Sequence, residues 1–152
     1  MLRLSKRADY ALLAVRHLAA NSSRGAVSAR ELAESYDIPS ELLAKVLQTL
    51  VRARLLESQQ GIRGGYVLSR PAGAIPVVDV IQAIDGPLTV TACSEDDHSC
   101  DQYAKCGIRD PLWRIKDRIV SALAATSVAD LAIDLVQPPP AGGAVPLAVV
   151  RK

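Results

Sequence analysis

Three cysteines stand at positions 93, 100 and 106, and the chain has no others. The pattern Cys93-x6-Cys100-x5-Cys106 puts three sulfur donors in one stretch that also carries Glu95, Asp96, Asp97 and Asp101. An odd, closely clustered set is a poor disulfide framework. Three soft thiolates suit an iron–sulfur cluster or zinc. Either group wants a fourth ligand, and no cysteine is left to supply it. His98 lies inside the loop, two residues before Cys100, and is one candidate. Water, glutathione or another outside ligand is a second. His17, the only other histidine, falls on the inward face of a helical pattern and reads as a core residue. The competing view, inert free thiols, sits badly with an acidic loop, because isolated cysteines are usually buried.

Around this loop the chain is helical in character. Its 49% hydrophobic content is enough for a core, but Phe is absent and aromatics are 3%, so that core must be built from Leu, Val, Ile and Ala. The net charge of +2 hides a split. Residues 1–71 hold eleven Lys and Arg against six Asp and Glu, whereas residues 72–110 hold two against seven. A basic block beside an acidic one suggests that only the first faces a polyanion. No apolar run approaches the roughly 20 residues of a membrane span, and the basic start Arg3-Leu4-Ser5-Lys6-Arg7 is not followed by an apolar signal-peptide core. The expectation is a cytoplasmic protein with no membrane partner. An enzyme is disfavoured: two histidines, no Ser-His-Asp set, no Gly-rich phosphate loop and no paired-carboxylate motif are available.

Ser5 can cap a helix running to about Ala20, with Tyr10, Leu13, Ala14, His17 and Leu18 on one face. Ser28 and Glu31 have the spacing of a capping box for a second helix ending near Tyr36. Asp37-Ile38-Pro39 breaks the chain, and a third helix runs from Ser40 to about Ala53 with Leu43, Val46, Leu47 and Leu50 inward. Leu55–Ser58 and Tyr66–Ser69, joined by a Gly-rich turn, read as a β-hairpin. A short helix over Pro76–Asp85 buries Val77, Val80, Ile81 and Ile84 and stops at Gly86. Pro111 reads as the first residue of a longer helix with Leu112, Ile115, Ile119, Ala122 and Leu123 at helical spacing through Ala125. Thr126 or Ser127 caps a last helix ending near Val136, and the Pro- and Gly-rich residues 137–152 read as a flexible tail.

Helix, helix, tight break, helix and Gly-tipped hairpin is the order of a winged helix-turn-helix. The predicted fold class is therefore mainly α, with a short hairpin wing. Such a unit presents the start of its second motif helix to the major groove. The outward positions there are Ser40, Glu41, Ala44, Lys45, Gln48 and Thr49. Hydroxyls and amides meet base edges or phosphates, and Lys45 neutralises a phosphate. In the hairpin, Gly64 and Gly65 permit positive φ and close approach to a nucleic-acid backbone, and Arg63 suits a narrow minor groove. Arg52 and Arg54 flank the hairpin base.

The residues Arg3-Leu4-Ser5-Lys6, Tyr10-Ala11, Glu31-Leu32-Ala33, Ile38-Pro39-Ser40, Gly64-Gly65-Tyr66-Val67-Leu68, Asp79 to Gly86, the cysteine loop and Leu112-Trp113 together resemble one family over about residues 2–135. It is the bacterial iron–sulfur and nitric-oxide-sensing winged-helix repressor family of the IscR, NsrR and RirA type. The resemblance implies a homodimer built on the helix from Leu112, with Leu112, Ile115, Ile119 and Leu123 as its dimerisation residues, and a roughly palindromic double-stranded operator. It implies an iron–sulfur cluster on Cys93, Cys100 and Cys106, with 4Fe–4S favoured over 2Fe–2S. NsrR-like members use an Asp on the first helix as a ligand, and Asp9 stands at the matching place, from where it could serve the partner subunit. Zinc or thiol-redox chemistry in place of a cluster is the alternative.

Three positions depart from IscR-like members. Ala44 stands where they have Glu, Gln60 where they have Arg, and Arg109 where they have a His ligand. The operator sequence therefore does not carry over. The chain divides into a DNA-binding region (1–71), a short helix and sensor loop (72–110), a dimerisation helix with a terminal helix (111–136) and the tail.

Overall fold

The computed structural model describes residues 3–91 and 100–133. Its helices are α1 (Lys6–Ala20), α2 (Ala29–Ser35), α3 (Ser40–Arg52), α4 (Val77–Asp85), α5 (Arg109–Ala125) and α6 (Val128–Ala132). Strands β1 (Leu56–Gln59) and β2 (Gly65–Leu68) pair antiparallel, with Leu56 opposite Leu68 and Gln59 opposite Gly65. Single 3-10 turns occupy Ser22–Arg24, Ala72–Ala74 and Tyr103–Lys105. The predicted winged-helix order is present, element by element.

The core is aliphatic, as a chain without Phe requires. One buried cluster runs from Ala11 on α1 through Leu32, Leu43, Leu47, Leu50 and Leu56 to Ile75, Val80 and Val128. It holds no buried polar or charged residue among the described ones. Helix α1 packs against α3, α4 and α6 together. This enclosure corrects its expected inward face. Ala8, Ala11, Ala14, Val15 and Leu18 are buried, while Tyr10, Leu13 and His17 are only half-buried at the flank. A helix covered by three neighbours buries small residues where backbones approach and turns its larger side chains to the edge. His17 finds a partner there: its Nδ1 lies 3.1 Å from the Tyr36 hydroxyl.

Helix ends follow local chemistry. Ser5 Oγ accepts from the Ala8 N–H at 3.1 Å, and Ser28 Oγ accepts from the Glu31 N–H at 3.1 Å. Asp37 adopts φ 51°, a left-handed turn that lets Ile38 N–H donate back to the Ala33 carbonyl and buries Ile38. At the far end of α3, Arg54 takes φ 59° and the Leu55 N–H donates to Leu50 O. Ser69 then ties the hairpin to this corner, its hydroxyl donating to Arg54 O at 2.7 Å and its N–H to Leu55 O. Pro111, expected as the first residue of α5, stands two residues further in, because α5 begins at Arg109. The position remains within the first turn, where backbone N–H groups have no intrahelical acceptor, so its missing N–H costs nothing.

The wing has a third anchor. Val27 and Tyr66 exchange backbone hydrogen bonds, Val27 N–H to Tyr66 O at 3.1 Å and Tyr66 N–H to Val27 O at 2.8 Å. The strand leading into α2 therefore lies along β2. This contact explains Gly65, where an added Cβ would sit 2.5 Å from the Val27 carbonyl carbon. At Gly64 a Cβ would meet Gln59 O at 2.5 Å inside the turn. Both glycines thus have a reason internal to the fold.

After α5 the chain returns to its own core. Val77 N–H donates to Thr126 O and Val128 N–H to Ile75 O, and Arg16 Nε reaches Leu131 O at 2.9 Å. Ser127 and Asp130 form a reciprocal capping box at the start of α6. Helix α6 stops at Ala132, where Ile133 turns extended (φ −68°, ψ 112°), short of the end expected near Val136, and the tail at 137–152 lies outside the described residues. Helix α5 is different from the rest: it has no buried residue. Its seventeen residues span about 25 Å and the nine of α4 about 13 Å. Helix α4, which packs on it, can cover only about half its length.

Two outcomes follow. Gly65→Ala should destabilise the protein by about 1–3 kcal/mol through forced displacement of the Val27 strand, measured as a lower urea midpoint, while Gly73→Ala, with open space around it and no positive φ, should leave the midpoint close to the parent's. The Asp130 pKa is lowered by the Ser127 backbone N–H and then by its hydroxyl. A folded-state pKa below the unfolded value gives stability that is present above the unfolded pKa and lost as pH falls through the folded one. Asp130→Asn should therefore be less stable than the parent at neutral pH, and the two urea midpoints should converge below about pH 4. A gap that persists in acid would assign the effect to something other than this carboxylate.

Candidate functional site

Helix α3 carries a two-sided surface. Leu43, Val46, Leu47 and Leu50 are buried, and Ser40, Glu41, Lys45 and Gln48 are exposed on the opposite side. The helix starts after Pro39 with no side-chain cap, so among the described residues its first N–H groups have no capping side-chain acceptor. They provide the partial positive charge that suits a phosphate. Ala44 and Thr49 are half-buried. The Thr49 hydroxyl donates to Lys45 O at 2.9 Å, which leaves it only as an acceptor towards an outside group.

The wing projects from the end of this helix. Arg52 and Arg54 are exposed at its base, and Gln60, Ile62 and Arg63 are exposed at its tip. The Gly64 N–H donates to Gly61 O at 3.0 Å and closes the tip loop. Lys45, Arg52, Arg54 and Arg63 are thus exposed cations of α3 and the wing, and Arg30 of α2 is paired with Glu34 at 2.8 Å.

Cys100 and Cys106 flank the 3-10 turn Tyr103–Lys105, and both are half-buried free thiols. The Tyr103 N–H donates to Cys100 O at 2.9 Å, which folds the two cysteines onto one turn. Cys93 and His98 lie outside the described residues. Asp9 is exposed on the first turn of α1. No group of three potential metal donors gathers among the described residues, so Asp9, Cys100 and Cys106 of one chain do not converge. The donor chemistry fits a thiophilic group in part: two thiols share one turn, and the third and fourth ligands must come from Cys93 and from elsewhere.

Arg109 decides what replaces the family's histidine. Its guanidinium carbon lies 4.5 Å from the Tyr103 ring centre and 5.6 Å from that of Trp113. Nε donates to Asp110 at 2.9 Å, and another nitrogen approaches Tyr103 O at 3.4 Å. Asp110, hydrogen-bonded to it, raises the guanidinium's pKa, and Tyr103 and Cys106 add smaller electrostatic contributions in the same sense. A permanent cation with no lone pair to offer cannot ligate a metal. It can hold the thiol turn against α5 through stacking. The residue types alone gave no sign of this clamp, because it needs Tyr103, Arg109 and Trp113 on one side of a turn.

A second junction was also invisible in one dimension. The Asp85 carboxylate accepts from the Ser5 N–H at 2.9 Å and from the Ser5 hydroxyl. Ser5 caps α1, and Asp85 ends α4 just before Gly86 and the cysteine loop. The loop's entry is therefore fastened to the start of the helix that carries Asp9.

This arrangement has counterparts. The Rrf2 family profile, described as an iron-dependent transcriptional regulator, matches residues 4–134. A Mycobacterium tuberculosis protein named as an HTH-type transcriptional regulator, Rv1287, is 34% identical over 149 residues, covering 95% of this chain and 84% of that one. The HTH-type transcriptional regulator IscR of Xenorhabdus nematophila is 32% identical over 131 residues, 86% of this chain and 79% of its own. Among solved structures, CymR, the global cysteine regulator of B. subtilis, superposes with a TM-score of 0.73 at 30% identity, covering 87% of this chain and 97% of CymR. No helix among the described residues is long and apolar enough to cross a membrane. With its helix-turn-helix, anchored wing and family match over nearly all the described residues, the chain belongs to the Rrf2 family and is a DNA-binding transcriptional regulator, not an enzyme.

Proposed function

We propose that the protein binds a palindromic double-stranded operator as a homodimer, and that an iron–sulfur cluster on its thiol loop sets the affinity. The observation that carries this reading is the clamp: the Cys100–Cys106 turn is stacked through Arg109 onto the root of α5, the one long helix without a buried residue. Leu112, Ile115, Ile119 and Leu123 form an apolar stripe on that helix, with Leu112, Ile119 and Leu123 half-buried and Ile115 46% exposed. Such a stripe suits a second copy of the same helix, and a two-fold dimer reads a two-fold site.

In this reading Ser40, Glu41, Lys45, Gln48 and Thr49 enter the major groove, while Arg63, Gly64 and Gly65 carry the wing into the adjacent minor groove. Cys93, Cys100 and Cys106 are the cluster ligands, with Asp9 from the partner subunit as the fourth. When bound, the cluster supplies a redox- and nitric-oxide-sensitive centre. The chain's own residues do the coupling. Ordered cysteines hold the 3-10 turn, Arg109 fixes that turn to α5, and the Ser5–Asp85 junction fastens the loop's entry to α1. Together they set the spacing of the two α3 helices, and release of the loop shifts the population towards a weakly binding form. A thiol site without a cluster is the second reading, favoured by the likeness to CymR and by the two free thiols.

Anaerobically purified protein should be brown, and its visible absorption should bleach with nitric oxide or oxygen as affinity for its selected duplex falls. Cys106→Ser should be colourless. Colourless wild-type protein that loses affinity on oxidation, reversed by dithiothreitol, would favour the thiol reading; stoichiometric zinc would sink the cluster reading too. The clamp has its own readout, since Trp113 is the only tryptophan. Arg109→Ala should shift Trp113 emission to longer wavelength and speed proteolysis within residues 100–106, while Arg109→Lys restores neither fully because a planar stacked cation is required.

A further inference from the structure

We propose that Ile62 is an apolar minor-groove contact, inserted beside Arg63, that makes the wing selective for groove shape; this rests on the reading above that the wing faces DNA. A lone exposed aliphatic residue is ordinary on a protein surface. Ile62 differs in how it is held. It is the middle residue of the five-residue connection between Gln59 and Gly65, and its exposure is 107% of the reference value. Gly61 with φ 116° and Gly64 leave no side chain beside it except Arg63. The Gly61–Gly64 hydrogen bond closes the loop beneath it, and the Val27–Tyr66 bridge holds the hairpin against the body.

Turn apices normally take Gly, Asn, Asp or Ser, which satisfy backbone or water. A β-branched side chain at this point gains nothing from the fold, because it touches none of the core. It is, however, stiff at χ1 and loses little freedom on insertion. The minor groove of B-DNA, about 6 Å wide, has sugar walls rich in C–H and admits a narrow aliphatic group. Architectural proteins also bring apolar side chains into this groove, there as wedges between base steps. Arg63 next to it supplies the charge that a narrow groove attracts. The two tip residues thus divide the work: one is sensitive to phosphate and groove potential, the other to steric access along the groove floor.

The exocyclic amino group of guanine projects into the minor groove and would obstruct Ile62, whereas A·T pairs leave the floor open. The test uses a duplex selected by the wild-type protein from a random pool. Ile62→Ala should weaken binding about threefold to tenfold with an unchanged slope of log Kd against log salt, while Arg63→Ala should reduce that slope by about one. Replacing the A·T pairs flanking each half-site by G·C should weaken the wild type more than Ile62→Ala, which keeps Arg63, and inosine·C pairs, which lack the amino group, should remove that difference. Melting temperatures of both variants should equal the parent's, since both side chains are exposed. Unchanged affinity of Ile62→Ala, or a loss that is the same on G·C, inosine·C and A·T flanks, would overturn the proposal while leaving DNA binding intact. Failure of the wild type to select any duplex would overturn the underlying reading as well.

Discussion

The simultaneous packing of α1 against α3, α4 and α6 is the constraint from which the rest of the arrangement follows. Close-packed aliphatic interiors do not deform smoothly; they transmit displacement from one wall to another. Here the helix that faces α3 is the same helix that meets the elements before and after the cysteine loop. Ala8, Ala11 and Ala14 permit the close approach. A larger residue at any of them would separate α1 from its neighbours and loosen the positions of α3 and α4 together.

Around that shared wall the polar contacts sit at chain entries and exits. Ser5 and Asp85 join the start of α1 to the end of α4, Ser69 joins the wing to the end of α3, and Ser127 with Asp130 closes the start of α6. Each is a short side chain that satisfies backbone groups left over where a helix or strand stops. None is buried in the aliphatic cluster, so specificity of the connections does not come at the cost of desolvated charge. The wing benefits most. Three separate backbone attachments make it an extension of the body, which is the condition for presenting Ile62 and Arg63 in a defined direction.

Charge is distributed in the same sense. Of the basic residues of the first half, Lys45, Arg52, Arg54 and Arg63 fall on α3 and the wing, while the acidic stretch belongs to the region after α4. Arg109 is the exception, a cation placed within the acidic region and spent on Tyr103, Trp113 and Asp110. At residue 109 this chain has a mechanical contact. The cysteine turn is therefore attached to α5 whether or not a metal group is present, and any cluster must complete its ligand shell without residue 109.

By itself the amino-acid order determined the elements and, to within a few residues, their ends. Leu and Val at helical spacing, Ser5 and Ser28 before helices, Pro39 and Gly86 after breaks, and alternating residues around Gly64-Gly65 are local signals, and the hydrogen bonds they imply close within a few residues. The cysteine spacing is likewise a local feature, and Cys100 and Cys106 do share one turn. What only the tertiary structure decided are contacts between residues distant in sequence. The buried face of α1 turned away from the expected stripe because three neighbours enclose it. Gly65 proved to be required by Val27, and Asp85 became the partner of Ser5. Arg109 changed from a missing ligand into a stacked clamp once Tyr103 and Trp113 lay within 4.5 and 5.6 Å of its guanidinium. Such pairings depend on which surfaces the common core brings together, and periodicity along one chain carries no record of that.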